Sequence, residues 1–576
     1  MQKKIDEIIL SLSLMFTVFF FSSVEIYIDN KNEFVVEGKD IIIPLLITAL
    51  AAAAINFAVL FIAGKIHPVL NAFIKCTELG AVLALYSQYM FFNGEMLNIG
   101  DDSFAYMQND ALINKNFTVF TVIFLLPAVI TLTAVPLKKV KAKTVLKNMT
   151  LYISALVFVM QLAGLFGETV QNINKKSTAD SEYYIAYEPA MSLSADGNVI
   201  VFIVDMLDGE WMETALVDYP ELMECFDGFT FYRNNVSEYP YTFPSITQMV
   251  TREEYDFGDW EDYFARAWKN RNILDDLKEA GYDADLLIDK PNAYELSENI
   301  RDKCENVKPL ENAVKINYFG ELGIIKVMTD ISLGTHLPYV LKPIFLEKYD
   351  SGFSATFIVY NDLPEDYMVR VVGSGNDINF YNYLKKHGLN ADSQNKKFVL
   401  THLNGMHDVS REVSMLSPDF DKDGKCNKIT TARGCFEILG EYFEQLKNLG
   451  IYDNSTIIVL GDHGRPTYDI SQKKAYKLDD AITTALLIKP ANAERGTLKL
   501  NDTAQLSHKN FAASVLDYAG IESDKYGPSY REIEENNIPQ TRYFQTYVVE
   551  KNVFTKGARY SVNGYARDFN NWKLEE

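Results

Sequence analysis

The sequence predicts a membrane region of five helices followed by an α/β domain with a largely parallel central sheet. Two observations lead to this prediction. The apolar residues crowd into the first third of the 576-residue chain, although the mean hydropathy of the whole chain is only -0.08. From residue 198 onward, β-branched apolar runs alternate with amphipathic runs, which is typical of α/β folds. A chain of this length holds two or more folding units.

Five stretches are long and apolar enough to cross a bilayer as helices, at roughly 20 residues each. They are residues 8–27, 41–63, 68–92, 117–136 and 149–166. The alternative, a soluble helical bundle, is disfavoured by the way lysines collect on one side of the predicted spans.

The lysines also set the expected orientation. Lys3 and Lys4 precede the first span, and a lysine-rich connection, 137–148, joins the fourth span to the fifth. The connections 29–40 and 93–116 are mostly acidic or neutral. By the positive-inside rule the N-terminus is cytoplasmic, and five crossings place the rest of the chain outside. We therefore expect a multi-pass protein of the cell membrane with an extracytoplasmic C-terminal domain.

These patterns predict four segments. A transmembrane region covers 1–167, a polar juxtamembrane linker 168–197, an α/β domain 198–540, and an aromatic strand or tail that forms a terminal hairpin 541–576. Within the α/β domain we predict strands at 198–204, 283–288, 396–403, 455–460 and 485–490, and helices at 262–280, 429–449 and 510–521.

Charge and cysteine content exclude some functions. The formal net charge of -22 leaves no basic footprint for nucleic acid, so nucleic acid is not an expected partner. The five cysteines form no zinc-type spacing. Cys426 and Cys435 either close a small loop in an oxidising compartment or remain free thiols.

Three short segments carry the chemistry. The strand 198–204 ends at Asp205, the run from Thr242 onward opens a helix, and the strand 455–460 delivers Asp462 and His463 at its carboxyl end. Acids, a hydroxyl and an imidazole that converge at strand ends predict a metal-assisted phosphoryl or sulfuryl transfer site. Carboxylate and imidazole ligands suit a divalent zinc or manganese ion, and the sequence does not choose between them. A threonine hydroxyl needs activation by a base or by the metal, so Thr242 is expected at the ion.

Each of these residues also has a structural interpretation. From its position alone, Asp205 is more often a strand-end or helix-capping acid than a ligand, and Asp208 is either the ligand in its place or a second ligand. An isolated Thr-x-Pro-Ser sequence is usually a turn. The ordered combination of the three segments with a membrane region favours the catalytic interpretation.

At these residues the chain resembles the alkaline phosphatase superfamily in its sulfatase-like branch, over roughly residues 198–521. The run Thr242-Phe-Pro-Ser245 stands where sulfatases carry Cys-x-Pro-Ser-Arg, and Ile246 replaces the arginine. A sulfatase converts that Cys or Ser to formylglycine, which a threonine does not yield. Threonine nucleophiles resemble those of lipoteichoic acid synthases and phosphoethanolamine transferases, which are membrane enzymes with five N-terminal spans.

The run His402-Leu-Asn-Gly-Met-His407 has the His, Gly and His spacing of the phosphoethanolamine transferases, although their usual proline is missing. By this resemblance His407 contacts phosphate or protonates the leaving alkoxide. Both histidines are equally compatible with structural roles. His402, Asp208, His508 and Arg465 are the further candidates for substrate contact, although a surface histidine and an exposed arginine beside a glycine are common.

The resemblance implies a membrane-anchored transferase. We expect it to take phosphoglycerol or phosphoethanolamine from a phospholipid in the bilayer through a covalent phosphothreonine, and to pass the group to an envelope polymer or glycolipid. The alternative enzyme is a sulfatase-like phosphodiesterase or sulfuric ester hydrolase, in which water replaces the acceptor. An inactive envelope scaffold protein is a third hypothesis.

Overall fold

The computed structural model describes residues 4–31, 38–94, 107, 109–138, 142–173, 183–288, 297–309, 320–346, 365–368, 375–407, 409–418, 420, 426–464, 483–550 and 553–575. The chain divides into two compact units. The first comprises Met1–Asp180 and Val314–Asp362, and the second comprises Ser181–Ala313 and Leu363–Glu576.

In the N-terminal part of the first unit, nearly all of the described residues are helical. Its helices are α1 (Ile5–Phe16), α2 (Ser22–Asp29), α3 (Gly38–Ile66), α4 (Pro68–Phe91), α5 (Asp110–Lys138) and α6 (Ala142–Gln171). A π-helical turn, Thr17–Phe21, joins α1 to α2, so that residues 5–29 form one continuous helical rod. Five helices in this unit are long and apolar enough to span a membrane, which confirms the predicted five apolar helices.

The second unit begins with alternating short strands and helices. Residues 181–313 contain β1 (Tyr183–Ile185), α7 (Glu188–Met191), β2 (Ser192–Ser194), β3 (Asn198–Val204), α8 (Gly209–Asp218), α9 (Leu222–Cys225), β4 (Thr230–Tyr232), β5 (Asn235–Val236), α10 (Thr242–Thr251), α11 (Trp260–Lys269), α12 (Ile273–Glu279), β6 (Tyr282–Leu287) and β7 (Val307–Pro309). The interval 168–197, predicted as a linker, thus contains the end of α6 and three short elements.

Two further helices return to the first unit. They are α13 (Gly320–His336) and α14 (Pro343–Leu346). Ser22 in α2 donates its hydroxyl hydrogen to Ser332 Oγ at 3.0 Å, and Ser23 donates to the carbonyl of Met328 at 2.9 Å. The first unit therefore includes a segment from the middle of the interval predicted as the α/β domain.

The remaining elements complete the second unit. They are α15 (Gly375–His387), β8 (Asn390–Ser393), β9 (Lys396–Leu403), α16 (Arg411–Ser414), α17 (Lys428–Asn448), β10 (Thr456–Leu460), β11 (Leu486–Lys489), β12 (Lys499–Asn501), β13 (Leu506–Ser507), α18 (Phe511–Tyr518), α19 (Tyr530–Asn536), β14 (Thr541–Glu550), β15 (Val553–Asn563) and β16 (Trp572–Leu574).

The central sheet has seven strands in the order β12-β4-β11-β10-β3-β9-β6. The strands β10, β3, β9 and β6 run parallel to one another, whereas β11 is antiparallel to β10 and to β4. Every residue of β3 and β10 is buried, because helices cover both faces of a parallel sheet. The largely parallel α/β fold is confirmed.

One predicted helix is interrupted. The interval 262–280 forms two helices, α11 and α12, because Asn272 caps the second one. The Asn272 side chain accepts a hydrogen bond from the amide of Leu274 at 3.0 Å, and the Asp275 carboxylate accepts one from the amide of Asn272 at 2.8 Å. This reciprocal cap starts a new helix within the amphipathic run. The strands β14 and β15 pair as an antiparallel hairpin in the aromatic tail.

Candidate active site

Two adjacent parallel strands deliver acids to one edge of the sheet. In the register of β3 and β10, Ile203 lies opposite Leu460, so that both strands end at the same level. Asp205 follows β3, and Asp462 follows β10 after a single glycine. The carboxyl ends of parallel strands are where α/β folds place their ligand sites.

Asp205, Asp462 and His463 form one compact buried cluster. One ligand atom from each of the three side chains lies within 4.8 Å of the others. His463 Nε2 is 3.5 Å from Asp205 Oδ1 and 3.5 Å from Asp462 Oδ2. None of the three side chains is more than 3% exposed. Two carboxylates and an imidazole in this arrangement can hold a divalent cation.

Thr242 is the first residue of α10 and faces this cluster. Its hydroxyl donates to Asp205 Oδ2 at 3.2 Å, and Thr242 Oγ1 is 3.4 Å from His463 Nε2. The residue is 8% exposed. Free backbone N–H groups in the first turn of a helix favour an anion there, so the hydroxyl stands where a phosphate or sulfate group would bind.

The donor atoms of the cluster fit a cation. Asp205 Oδ1 and Asp462 Oδ2 are buried and accept no hydrogen bond from the part of the chain that the structure describes. The other oxygen of Asp462 accepts from the amides of Met206 at 3.1 Å and His463 at 2.9 Å, which fixes the carboxylate plane. His463 Nδ1 lies 2.7 Å from the carbonyl oxygen of Gly464, so Nδ1 donates a hydrogen bond there and Nε2 is the ring nitrogen that faces the cluster.

Burial and neighbouring charges shift the pKa values of the two carboxylates in opposite directions. Burial raises the pKa of Asp205, but the surrounding histidines outweigh it and hold that pKa below its usual range. Burial and the adjacent Asp205 raise the pKa of Asp462. Two carboxylates crowded in a buried site repel each other, and a cation between them would relieve this repulsion.

His402, near the end of β9, and His407, in the loop that follows, both contribute to the electrostatics of Asp205. His402 Nε2 is 3.6 Å from Asp205 Oδ2, and this pairing raises the pKa of His402 against the lowering effect of burial. His407 is half-buried, and its charge contributes to the lowered pKa of Asp205. Both therefore belong to the electrostatic environment of the site.

The other residues predicted for the site are Asp208, His508 and Arg465. Asp208 is fully buried and caps α8, where its side chain accepts a hydrogen bond from the amide of Trp211 at 2.7 Å; it does not belong to the three-residue cluster. His508 is buried rather than at the surface, and its Nε2 is 3.2 Å from Thr484 Oγ1. Burial lowers the pKa of His508 to about 3, so this imidazole is neutral. Arg465 lies outside the described residues.

Sequence reasoning missed an aromatic contact with the terminal hairpin. The ring of Tyr241, next to the threonine, packs against Tyr547 of β14 with centroids 4.2 Å apart, and against His463 at 6.2 Å. No local pattern could reveal this contact, because Tyr241 and Tyr547 are about 300 residues apart in the chain. The hairpin thus contributes to the surroundings of the site. Described cysteines are all free thiols, including Cys426 and Cys435.

Comparison with known proteins identifies a family. The model of the sulfatase family matches residues 198–521, which is more than half of the chain. The matched interval contains Asp205, Thr242, Asp462 and His463. No curated protein sequence is significantly similar to the chain.

Several solved structures resemble the chain at low identity. The C-terminal periplasmic domain of EptC from Escherichia coli is 13% identical, with 65% of this chain and 95% of that chain covered and a TM-score of 0.34. A phosphonate monoester hydrolase from Silicibacter pomeroyi is 16% identical, with coverages of 66% and 88% and a TM-score of 0.35. An alkaline phosphatase superfamily protein from Vibrio parahaemolyticus is 11% identical, with coverages of 68% and 84% and a TM-score of 0.38. At these values the similarities carry no argument about activity.

Proposed function

Because the chain belongs to the sulfatase family, we propose that it is a membrane-anchored, metal-dependent phospho-headgroup transferase. The donor is a phospholipid that supplies phosphoglycerol or phosphoethanolamine, and the acceptor is a hydroxyl of an envelope polymer or glycolipid. The family match supports a sulfatase-like enzyme, and the five apolar N-terminal helices suggest a membrane anchor.

The observation that carries the proposal is the placement of the Thr242 hydroxyl. It lies 3.2 Å from Asp205 Oδ2 and 3.4 Å from His463 Nε2, at a cluster with two orphaned carboxylate oxygens. A threonine in this position supports direct attack on phosphorus through an unmodified hydroxyl. A covalent phosphothreonine then carries the headgroup between donor and acceptor.

Asp205, Asp462 and His463 would hold the divalent cation, with manganese and zinc both suited to these ligands. When bound, such an ion acidifies a nearby hydroxyl and offsets negative charge on phosphoryl oxygens. Thr242 Oγ1 attacks phosphorus, and its proton passes to solvent. The bond from phosphorus to the diacylglycerol oxygen breaks, and His407 protonates that oxygen as it leaves.

The acceptor hydroxyl reverses these steps. It attacks the phosphothreonine while His407 accepts its proton, and the Thr242 oxygen leaves and regains a proton. The helix N-terminus at Thr242 supports this cycle, because its backbone N–H groups favour the negative phosphoryl oxygens throughout. The five apolar helices support a lipid donor, because they would hold the enzyme at the surface where headgroups are presented.

The experiment is turnover by the purified full-length protein on vesicles of phosphatidylglycerol or of phosphatidylethanolamine, with manganese or zinc added. We expect diacylglycerol release that Thr242→Ala abolishes. Thr251→Ala, at the other end of the same helix, is the matched control and should keep most of the activity.

The products separate the hypotheses. Diacylglycerol together with a headgroup transferred to an added glycolipid or polyol supports the transferase. Thr242-dependent release of free headgroup phosphate without transfer would replace it with the hydrolase. No turnover on either lipid with either metal would contradict the proposed donor class and favour the scaffold hypothesis.

A further inference from the structure

A buried aspartate on a neighbouring helix holds the loop that lies between His402, near the end of β9, and His407. Asp377 lies on α15 and is fully buried. Its two carboxylate oxygens accept hydrogen bonds from the amides of Asn404 at 2.8 Å and Gly405 at 2.9 Å. A third donor, Cys435 Sγ, lies 3.9 Å from Asp377 Oδ2. A single carboxylate thus satisfies two consecutive backbone donors of the segment that follows β9.

The same segment is pinned to the backbone of Asp205. The amide of Asp205 donates to the carbonyl of Leu403 at 3.0 Å, and the amide of Met406 donates to the carbonyl of Asp205 at 3.0 Å. These two bonds flank Asn404 and Gly405, whose amides bind Asp377. The Asp377 carboxylate therefore holds the loop against Asp205, a member of the candidate metal-binding cluster.

A lysine of opposite charge holds the end of the loop. Lys428 Nζ donates to the carbonyls of Met406 and His407. The Asp377 carboxylate therefore binds the N–H groups at the start of the loop, and the Lys428 ammonium group binds the carbonyl groups at its end. His402 lies at the end of β9, immediately before this braced segment, and His407 is its last residue.

The loop has little room to move. Gly405 has a φ of +54°, a region that residues with a side chain rarely adopt. A Cβ atom there would lie 2.6 Å from Val204 Cγ1 and 3.0 Å from the amide nitrogen of Asp205. A displacement of the loop is therefore transmitted directly to the backbone of Asp205.

From this arrangement we propose that Asp377 is a positioning residue for the active site, which sets the place of His407 and of the Asp205 backbone through the amides of Asn404 and Gly405. In this role Asp377 acts through the loop, whose two amides occupy its carboxylate oxygens, and not by direct contact with substrate or ion. The expected effect of Asp377 on turnover rests on the proposed function, in which His407 protonates the leaving oxygen. Its expected effect on the geometry of the loop does not depend on that function.

The test is Asp377→Asn in the full-length protein, read out by two measurements. The asparagine keeps the size of the side chain, but its NH₂ group cannot accept a hydrogen bond, so at least one loop amide loses its partner. The chain contains only seven histidines, so ring ¹³Cε1 labelling gives a countable spectrum. Single His402→Gln and His407→Gln variants assign the signals of these two histidines. We expect Asp377→Asn to shift or broaden both.

Asp285→Asn is the matched control. Asp285 is also fully buried, pairs with Lys397 at the start of β9, and has no contact with the loop among the described residues. This variant should leave the His402 and His407 signals in place. Unchanged signals of these two histidines in Asp377→Asn, or an equal disturbance by Asp285→Asn, would overturn the proposal.

Kinetics on the lipid vesicles supply the second readout. We expect kcat to fall about 10–100-fold in Asp377→Asn with KM for the donor within about twofold, as for residues that orient an active-site group. A raised KM with unchanged kcat would overturn the positioning role, because it would place Asp377 in substrate binding. If the wild type turns over neither lipid, the proposed function fails while the histidine spectra still decide the positioning role.

Discussion

The glycine before Asp462 is required by space, and Gly461→Ala tests this requirement. A Cβ atom at residue 461 would lie 2.2 Å from the carbonyl oxygen of Leu207. An ordinary carbon–oxygen contact is no shorter than about 3.3 Å, so one backbone must move by about 1 Å. Neither can move freely, because the amide of Ala485 donates to that carbonyl at 3.0 Å and the amide of Gly461 donates to the carbonyl of Ala485 at 3.0 Å.

The cost follows from these contacts. Overpacking of a buried position costs about 1–3 kcal/mol, and a buried backbone group that loses its partner costs about 1–3 kcal/mol more. We expect Gly461→Ala to lose about 2–6 kcal/mol of stability in total by these two terms. Because the next residue is Asp462, a shift of this size should also weaken activity by about 100-fold.

The assay is thermal unfolding of the purified full-length protein, combined with calorimetric titration of manganese or zinc. Gly440→Ala in α17 is the control, because among the described residues its Cβ atom would meet only Cys225 Sγ, at an ordinary 3.5 Å, and alanine favours a helix by about 1 kcal/mol. The control should be neutral or slightly stabilising. A Gly461→Ala protein with wild-type melting temperature and wild-type metal affinity would refute the reasoning.

Two further predictions concern the metal and pH. Manganese or zinc at 100 times its dissociation constant should stabilise the protein by about 2.7 kcal/mol, and Asp462→Asn should lose this effect; a metal-induced shift that survives in this variant would contradict the ligand assignment. Burial raises the pKa of Asp285 from 3.8 to about 6, so the folded state keeps a proton that the unfolded state releases. Protonated Asp285 therefore contributes at most about 3 kcal/mol to the free energy of unfolding. This contribution is fully present below pH 4 and is lost as the pH rises to 6. The difference in melting temperature between wild type and Asp285→Asn should shrink over that interval, and a constant difference would contradict the raised pKa.

The sequence predicted the parts of the fold that local patterns determine. The strands β3 and β9 have the predicted bounds, because short runs rich in β-branched and apolar residues favour buried strands such as those of a parallel sheet. The break at Asn272 was missed, because the amphipathic pattern continues across it while the capping residues start a second helix. The position of α13 was not predictable, because its partners, such as Ser22, are more than 300 residues away.

The residues of the candidate site also fall into those that local patterns indicate and those that only the folded chain brings together. Asp205, Thr242 and His463 could be predicted from sequence as candidates, because each lies at the end or start of a helix or strand that the local sequence pattern indicates. Asp377 and Tyr547 were not, because their contacts with the loop after β9 and with Tyr241 arise only in the folded chain. No motif marks either residue.

The most direct test of the central claim is the intact mass of the full-length protein and of its Thr242→Ala variant. Each is incubated with manganese or zinc and with phosphatidylglycerol or phosphatidylethanolamine, without an acceptor. We predict a phosphoglycerol or phosphoethanolamine adduct on the wild type, located at Thr242 by peptide mapping and absent from the variant. An adduct that persists in Thr242→Ala, or Thr242-dependent headgroup release with no adduct under rapid quenching, would contradict the covalent phosphothreonine.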